Sequence, residues 1–201
     1  MKKMMRRTFA AVILAGGNAR RLGGIEKGNI EISNGISIIE HLIKELTRAD
    51  IHNIVISSNN FEPYQNYGLK IIPDIRTGLG PIGGIESGLA YFADRSDAVI
   101  FVPCDMPNIT AKEILALKKG VLEKDSPIVF AETDGFFLHP LCAVVHNDLK
   151  KQISSAIDRG QRKIRDVWQQ LGSARINFPN GIDFLNINNA TDLDGWRNGE
   201  K

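Results

Sequence analysis

Phe9-Ala-Ala-Val-Ile-Leu-Ala-Gly-Gly-Asn-Ala-Arg-Arg-Leu-Gly-Gly-Ile-Glu-Lys27 decides the fold. Phe9 to Leu14 is apolar without a break, the pattern of a strand covered on both faces. From Leu14 to Lys27 the chain then places four glycines and three cations in fourteen residues. Glycines let backbone N–H groups approach a ligand closely and form anion-binding nests. Arg20, Arg21 and Lys27 can neutralise polyphosphate charge, arginine by bidentate contacts. A Walker A loop needs Gly-x-x-x-x-Gly-Lys-Ser/Thr, and no stretch of the chain satisfies it. Glycine and arginine alone would equally fit a surface loop whose charges are merely solvated.

Outward from this loop, apolar runs alternate with helical stripes. Ser37–Ala49 carries Ile38, Ile39, Leu42, Ile43 and Leu46 on one face of a 3.6-residue period. Strands are expected at Ile54–Ser57, Leu69–Ile72 and Ala98–Val102, with a helix over Pro81–Phe92 between the last two. Thr110 and Glu113 have capping-box spacing and open a helix that Gly120 should end. Strands at Pro127–Glu132 and Leu141–Val145 flank the turn signal Asp134-Gly135. Helices over Asp148–Arg159 and Gln161–Leu171, a strand at Phe184–Ile187 and a helix from Thr191 complete the chain. The strand–helix alternation predicts an α/β fold with a mostly parallel sheet between helices, joined by an antiparallel element. Such sheets bind ligands beyond the carboxyl ends of their strands.

The chain has 201 residues, enough to bury a core without disulfide or metal staples and suited to a single domain spanning 1–201. Its net charge of +2 is too even for a protein that coats nucleic acid. Met1 to Arg7 is a basic tail, and with Ala10–Ala15 it has the order of an export signal. That apolar run is at the lower limit for a signal and leads to Arg20-Arg21 with no cleavage site, so a tail before a buried strand is the better reading. No apolar run approaches the ~20 residues needed to span a bilayer. Cys104 and Cys142 lie in apolar surroundings and read as reduced thiols, which points to the cytoplasm.

With its flanks, the glycine loop resembles the L-A-G-G-x-x-x-R-x-G signature, with a following lysine, of nucleotidyltransferases with a glycosyltransferase-A-like fold. Further agreement runs in order through Gly68–Asp74, Gly80-Pro-Ile-Gly-Gly84, Pro103-Cys-Asp-Met-Pro107, His139-Pro140, Gly160-Gln-Arg162 and Asn186-Ile-Asn188. Over nearly its whole length the chain is similar to the molybdenum cofactor guanylyltransferase family. The resemblance implies a three-layer, Rossmann-like (nucleotide-diphospho-sugar transferase-like) fold, GTP and molybdopterin as substrates, and Mg²⁺ as cofactor. It implies transfer of GMP to molybdopterin with release of pyrophosphate, in a monomer that could meet other cofactor-biosynthesis proteins or apo-molybdoenzymes and needs neither nucleic acid nor membrane.

The residues matching the family's motifs acquire roles from it. Arg21, Lys27 and Asp105 are the expected catalytic residues, and Asp105 with Asn188 the expected metal ligands. Leu14, Ala15, Gly16, Gly17, Ser57 and Asp74, together with Lys27 and Asp105, are expected around the nucleotide. Gly80, Gly84, His139, Arg162, Asn186 and Asn188 are expected around the second substrate, although Arg162 would also suit a solvated helix start. Two positions depart from the family: Ser57 stands where its better-known members carry a nucleotide-contacting asparagine, and Glu26 replaces the usual aspartate before the lysine. Asn59 would share the face of Ser57 if that strand continued. These departures leave a cytidylyltransferase on molybdopterin open, beside a sugar-phosphate acceptor and a non-catalytic nucleotide-binding carrier or regulatory module.

Two local patterns are rejected. Gly78, Gly80 and Gly83 satisfy Gly-x-Gly-x-x-Gly, but the preceding strand ends near Ile72 and Pro81 sits inside the triplet, unlike a dinucleotide fingerprint. His139-x-x-Cys142-x-x-x-His146 has zinc-like residues, yet in a regular strand His139 and Cys142 would face opposite ways.

Overall fold

The computed structural model describes residues 7–16, 26–33 and 35–197. In chain order the elements are β1 (Phe9–Leu14), β2 (Glu31–Ser33), β3 (Ile36–Ser37), α1 (Ile38–Arg48), β4 (Ile54–Ser57), β5 (Lys70–Ile72), α2 (Pro81–Tyr91) and β6 (Ala98–Pro103). They continue with α3 (Ala111–Glu123), β7 (Ile128–Thr133), β8 (Phe137–His146), α4 (Lys150–Asp158), α5 (Ile164–Gln170), β9 (Ala174–Phe178) and α6 (Ala190–Arg197). A seven-stranded sheet has the order β5-β4-β1-β6-β8-β7-β9, and β2 and β3 form a separate small hairpin. Pairings β1–β4, β1–β6, β4–β5 and β7–β9 are parallel, while β8 runs antiparallel to both β6 and β7. This is the mostly parallel α/β sheet with one antiparallel element that the alternation predicts.

Side chains alternate across the sheet. Ala11 and Ile13 of β1 join a layer with α1, α3 and α6 residues such as Ile39, Leu42 and Leu117. Ala10, Val12 and Leu14 point into the other, with Ile82, Ile85, Ile153 and Trp168 from α2, α4 and α5. Both faces of β1 are thus covered, which explains its unbroken apolar run. Capping boxes start α1 (Ser37 with Glu40) and α3 (Thr110 with Glu113).

Four expectations are corrected. Gly120 does not end α3 but sits inside it, because a Cβ there would lie 2.4 Å from Ile176 Cδ1 of β9. The last strand is Ala174–Phe178, whereas 184–187 follows a 3-10 turn (Gly181–Phe184) opened by the Asn180 side chain. The third-last and second-last helices are shorter than their apolar stripes, with a 3-10 turn at Asn147–Leu149 before α4 and extended Lys163 before α5. Finally, Phe130 pairs with Ala143 but Ala131 pairs with His139, so residues 140–142 bulge from β8. Strict alternation fails across that bulge. His139 stacks on Phe184, which belongs to the same layer as Cys142, rather than on the opposite face. The Asp134-Gly135 turn is as expected, with φ of 54° and 77° at its two central residues.

Candidate active site

Loops leaving the carboxyl ends of β1, β4, β5 and β6 surround a cleft of about 540 Å³. Leu14, Ala15, Gly16, Lys27, Ser57, Asp74, Gly80, Gly84 and Asp105 all line it. These residues lie as far apart as 91 positions in sequence, and the parallel sheet brings them to one edge. Gly17, Arg20 and Arg21 fall outside the described residues.

At one end of the cleft, Lys27 leads a 3-10 turn (Lys27–Asn29). Its Nζ donates to Asp105 Oδ2 at 3.0 Å and to Asn188 Oδ1 at 2.7 Å. Asp105 follows Pro103, the last residue of β6, and its carbonyl accepts the N–H of Ile187 at 2.8 Å, which draws the 186–188 segment to the site. Two side-chain oxygens from distant segments therefore converge on one cation, the lysine ammonium. A carboxylate and a carboxamide oxygen are hard donors, and such a pair fits Mg²⁺, which keeps several waters and takes phosphate oxygens besides one or two protein ligands. Among the described residues no group of three or more His, Cys, Asp or Glu gathers as a metal centre.

At the other end, Asn59 and Asp74 hold each other twice. Asn59 Nδ2 donates to Asp74 Oδ2 at 2.9 Å, and Asp74 N donates to Asn59 Oδ1 at 2.9 Å. Although β4 ends at Ser57, Asn59 thus reaches the cleft from the loop that follows. The amino-terminal turn of α2 packs against this end without side chains. A Cβ on Gly83 would meet Asp74 Oδ2 at 3.3 Å, and one on Gly84 would meet Ser57 Oγ at 2.8 Å. Gly80, at φ 68° and ψ −156°, turns the chain into α2 through a region open to glycine alone.

The wall between the two ends was not legible in the sequence. Tyr64, buried in a 3-10 helix (Glu62–Tyr67), donates its hydroxyl towards Glu26 Oε2 and the Ala15 carbonyl, both at 3.4 Å. Burial raises the Tyr64 phenol far above its ordinary value, so it remains a donor. Glu26 also accepts from Asn60 Nδ2 at 3.3 Å. The longer side chain at Glu26 therefore binds this wall, while Lys27 turns to Asp105. Cys104, next to Asp105, is pushed up to about 12 by burial and the neighbouring carboxylate, and stays a neutral thiol rather than a nucleophile.

Four expected residues do not line the cleft: Asn188 meets it only through Lys27, and His139, Arg162 and Asn186 lie away from it. Burial holds the His139 imidazole below its usual pKa, so it is neutral at pH 7, where it meets Thr133 Oγ1 at 3.0 Å. Cys142 Sγ packs 3.5 Å from Met106 Sδ. Arg162 donates to the carbonyls of Ile157 and Gln161 at 2.9 and 2.8 Å, closing the end of α4. Asn186 is exposed beside Leu185.

Residues 11–175 match the family described as the MobA-like NTP transferase domain. The chain belongs to this family. A molybdenum cofactor guanylyltransferase of Yersinia pestis is 33% identical over 195 residues, covering 96% of both chains. Among solved structures, molybdopterin-guanine dinucleotide biosynthesis protein A from Archaeoglobus fulgidus has a TM-score of 0.76 at 23% identity, covering 94% of this chain and 97% of that one. The 4-diphosphocytidyl-2C-methyl-D-erythritol synthase of Anaerococcus prevotii gives 0.74 at 11% identity, with 96% of each covered. The MobA-like fold is thus common to chains of different specificity, and specificity must be argued from the cleft.

Proposed function

We propose that this chain transfers GMP from GTP to the terminal phosphate of molybdopterin, giving molybdopterin guanine dinucleotide and pyrophosphate. One observation carries the reading: Lys27, Asp105 and Asn188 meet at one end of a cleft whose other end is the Asn59–Asp74 pair. The triphosphate lies against Gly16, Gly17, Arg21 and Lys27, and the base lies towards Asp74. A carboxylate is an acceptor of hydrogen bonds, and guanine presents the adjacent donors N1–H and N2–H₂, whereas adenine and cytosine present a donor beside an acceptor. The curated relatives named as guanylyltransferases support the same choice.

The chemistry asks little proton transfer of the protein. The attacking group is a phosphate monoester whose second pKa is about 6, so it is anionic at pH 7 without a general base. The chain's work is positioning and charge stabilisation along an in-line path. Lys27 and Arg21 hold the departing β- and γ-phosphates, and the Gly16 and Gly17 amides add donors. Mg²⁺, held by Asp105 and Asn188, would supply further neutralisation of the triphosphate. Gly80 and Gly84 let the turn into α2 approach the cleft closely, and the acceptor enters past it; His139 and Asn186 lie outside the cleft lining. Arg162 donates through Nη1 to the end of α4, and the reading gives it no role at the phosphates. The reading carries with it a cytoplasmic monomer handing its product to apo-molybdoenzymes; among the described residues no helix is long and apolar enough to cross a membrane.

Titration calorimetry with GTP, CTP and ATP in Mg²⁺ tests this. A clear preference for GTP supports it. A preference for CTP keeps the phosphate end but overturns the base assignment, and binding of no triphosphate overturns both.

A further inference from the structure

The family match ends at residue 175, yet from beyond it Asn188 reaches Lys27, a residue of the cleft lining. Its placement depends on the entrance to α6. There Asn189 Oδ1 accepts the N–H of Asp192 at 2.9 Å, and Asp192 Oδ2 accepts the N–H of Asn189 at 3.2 Å, a reciprocal helix cap. The same Asp192 oxygen takes a second hydrogen bond, the third of the cluster, from the N–H of Asn188 at 2.7 Å, and this is the shortest of the three.

The third bond is not required by the helix. The first bond within α6 runs from Leu193 N to the Asn189 carbonyl, so Asn188 lies outside the helix proper. What the bond does is fix the peptide of Asn188 on one side, while Ile187 N fixes the other by donating to the Asp105 carbonyl at 2.8 Å. Between these two anchors the Asn188 carboxamide is directed at the position it shares with Asp105 Oδ2. Further along, Trp196 Nε1 donates to Asn108 Oδ1 at 2.9 Å, and Asn108 lies just after the Asp105 turn. The helix that carries Asp192 is therefore tied to the same loop as Asp105.

We propose that Asp192 is a positioning residue of the cation site: through the Asn188 N–H it holds the Asn188 oxygen beside the Asp105 carboxylate. The proposal rests on Asp105 and Asn188 being the cation-binding oxygens. Partners that orient a metal's ligands are worth about 10–100-fold in metal affinity when removed. A residue that served α6 alone would have no such effect.

The test measures GTP affinity by calorimetry in saturating Mg²⁺ and in EDTA, and takes the ratio of the two. Asp192→Ala should lower that ratio by about 10-fold or more while leaving the EDTA affinity unchanged. Asn189→Ala loses the cap but keeps the Asp192–Asn188 bond, and should keep the wild-type ratio. Asp192→Asn, which retains an oxygen acceptor without charge, should fall between, and it serves if the alanine variant does not fold. A wild-type ratio in both Asp192 variants, or equal losses in Asn189→Ala and Asp192→Ala, would overturn the proposal. An unaltered ratio in Asp105→Asn would overturn the cation site itself and the proposal with it.

Discussion

Replacing Lys27 by methionine should move two affinities in opposite directions. Methionine keeps an unbranched apolar stem and deletes the ammonium that bridges Asp105 Oδ2 at 3.0 Å and Asn188 Oδ1 at 2.7 Å. The two charged side chains are 23% and 20% exposed, so water screens the pair only in part. At that distance and an effective dielectric constant near 20, the bare Coulomb attraction is about 5 kcal/mol, and desolvation offsets much of it. The net worth is that of a hydrogen bond between charged groups, about 1.5–3 kcal/mol. Lys27 and a divalent cation compete for the same two oxygens, so Lys27→Met should tighten binding of Mn²⁺ to the free protein by roughly 10–150-fold at 1.4 kcal/mol per factor of ten. Water-proton relaxation with Mn²⁺ reads this directly. The same substitution removes a cation from the triphosphate, so GTP affinity measured in EDTA should fall by about one to two orders of magnitude. Unchanged Mn²⁺ binding, or a change of the same sign in both titrations, would refute the competition.

Three other expectations follow from particular contacts. Asp105→Ala should release no pyrophosphate in saturating Mg²⁺, and wild-type turnover would remove Asp105 from the reaction. Gly84→Ala gains about 1 kcal/mol of helix propensity but places a Cβ 2.8 Å from Ser57 Oγ and 2.9 Å from Leu14 Cδ2, an overpacking worth about 1–3 kcal/mol. Its melting temperature should fall by a few degrees and its GTP affinity with it; a more stable variant would show that α2 can retreat. Glu40, whose pKa is lowered by the Ser37 N–H and hydroxyl, contributes stability that is present above the unfolded carboxyl value of 4.5 and is lost as pH falls through its folded value. The stability difference between wild type and Glu40→Gln should therefore be full at pH 7 and vanish in the acid limb, as urea midpoints across pH would show.

The elements buried on both faces were legible, because β1, β4, β6, β7 and the second half of β8 carry the continuous apolar runs that a strand covered on both faces needs. Strand β9 was not. Its residues alternate between half-buried and exposed at the sheet edge, and Arg175 reaches Glu132 at 2.8 Å on the neighbouring strand, so its sequence carries a weak apolar signal. The burial of Phe184 and Ile187 mimicked a strand that an Asn180-capped turn replaces. Gly120 looked like a terminator, whereas it is small to admit Ile176. In the site, Lys27, Asp105 and Asn188 could be named because each sits in a short motif. Tyr64, Asn60 and Asp192 could not, and Glu26 could be named only as a departure from the motif, since their roles arise from pairings that only the folded loops create. Arg162 and His139 show the converse: a residue can match a motif while its side chain closes a helix or stacks in the core.

The central claim is a group transfer from one nucleotide to one acceptor. Pyrophosphate release should be measured with purified protein, Mg²⁺ and molybdopterin, supplying GTP or CTP in turn. The account predicts pyrophosphate stoichiometric with guanine dinucleotide product from GTP, at a rate far above that from CTP and none without molybdopterin. Faster release from CTP, or no release from either nucleotide, would contradict it.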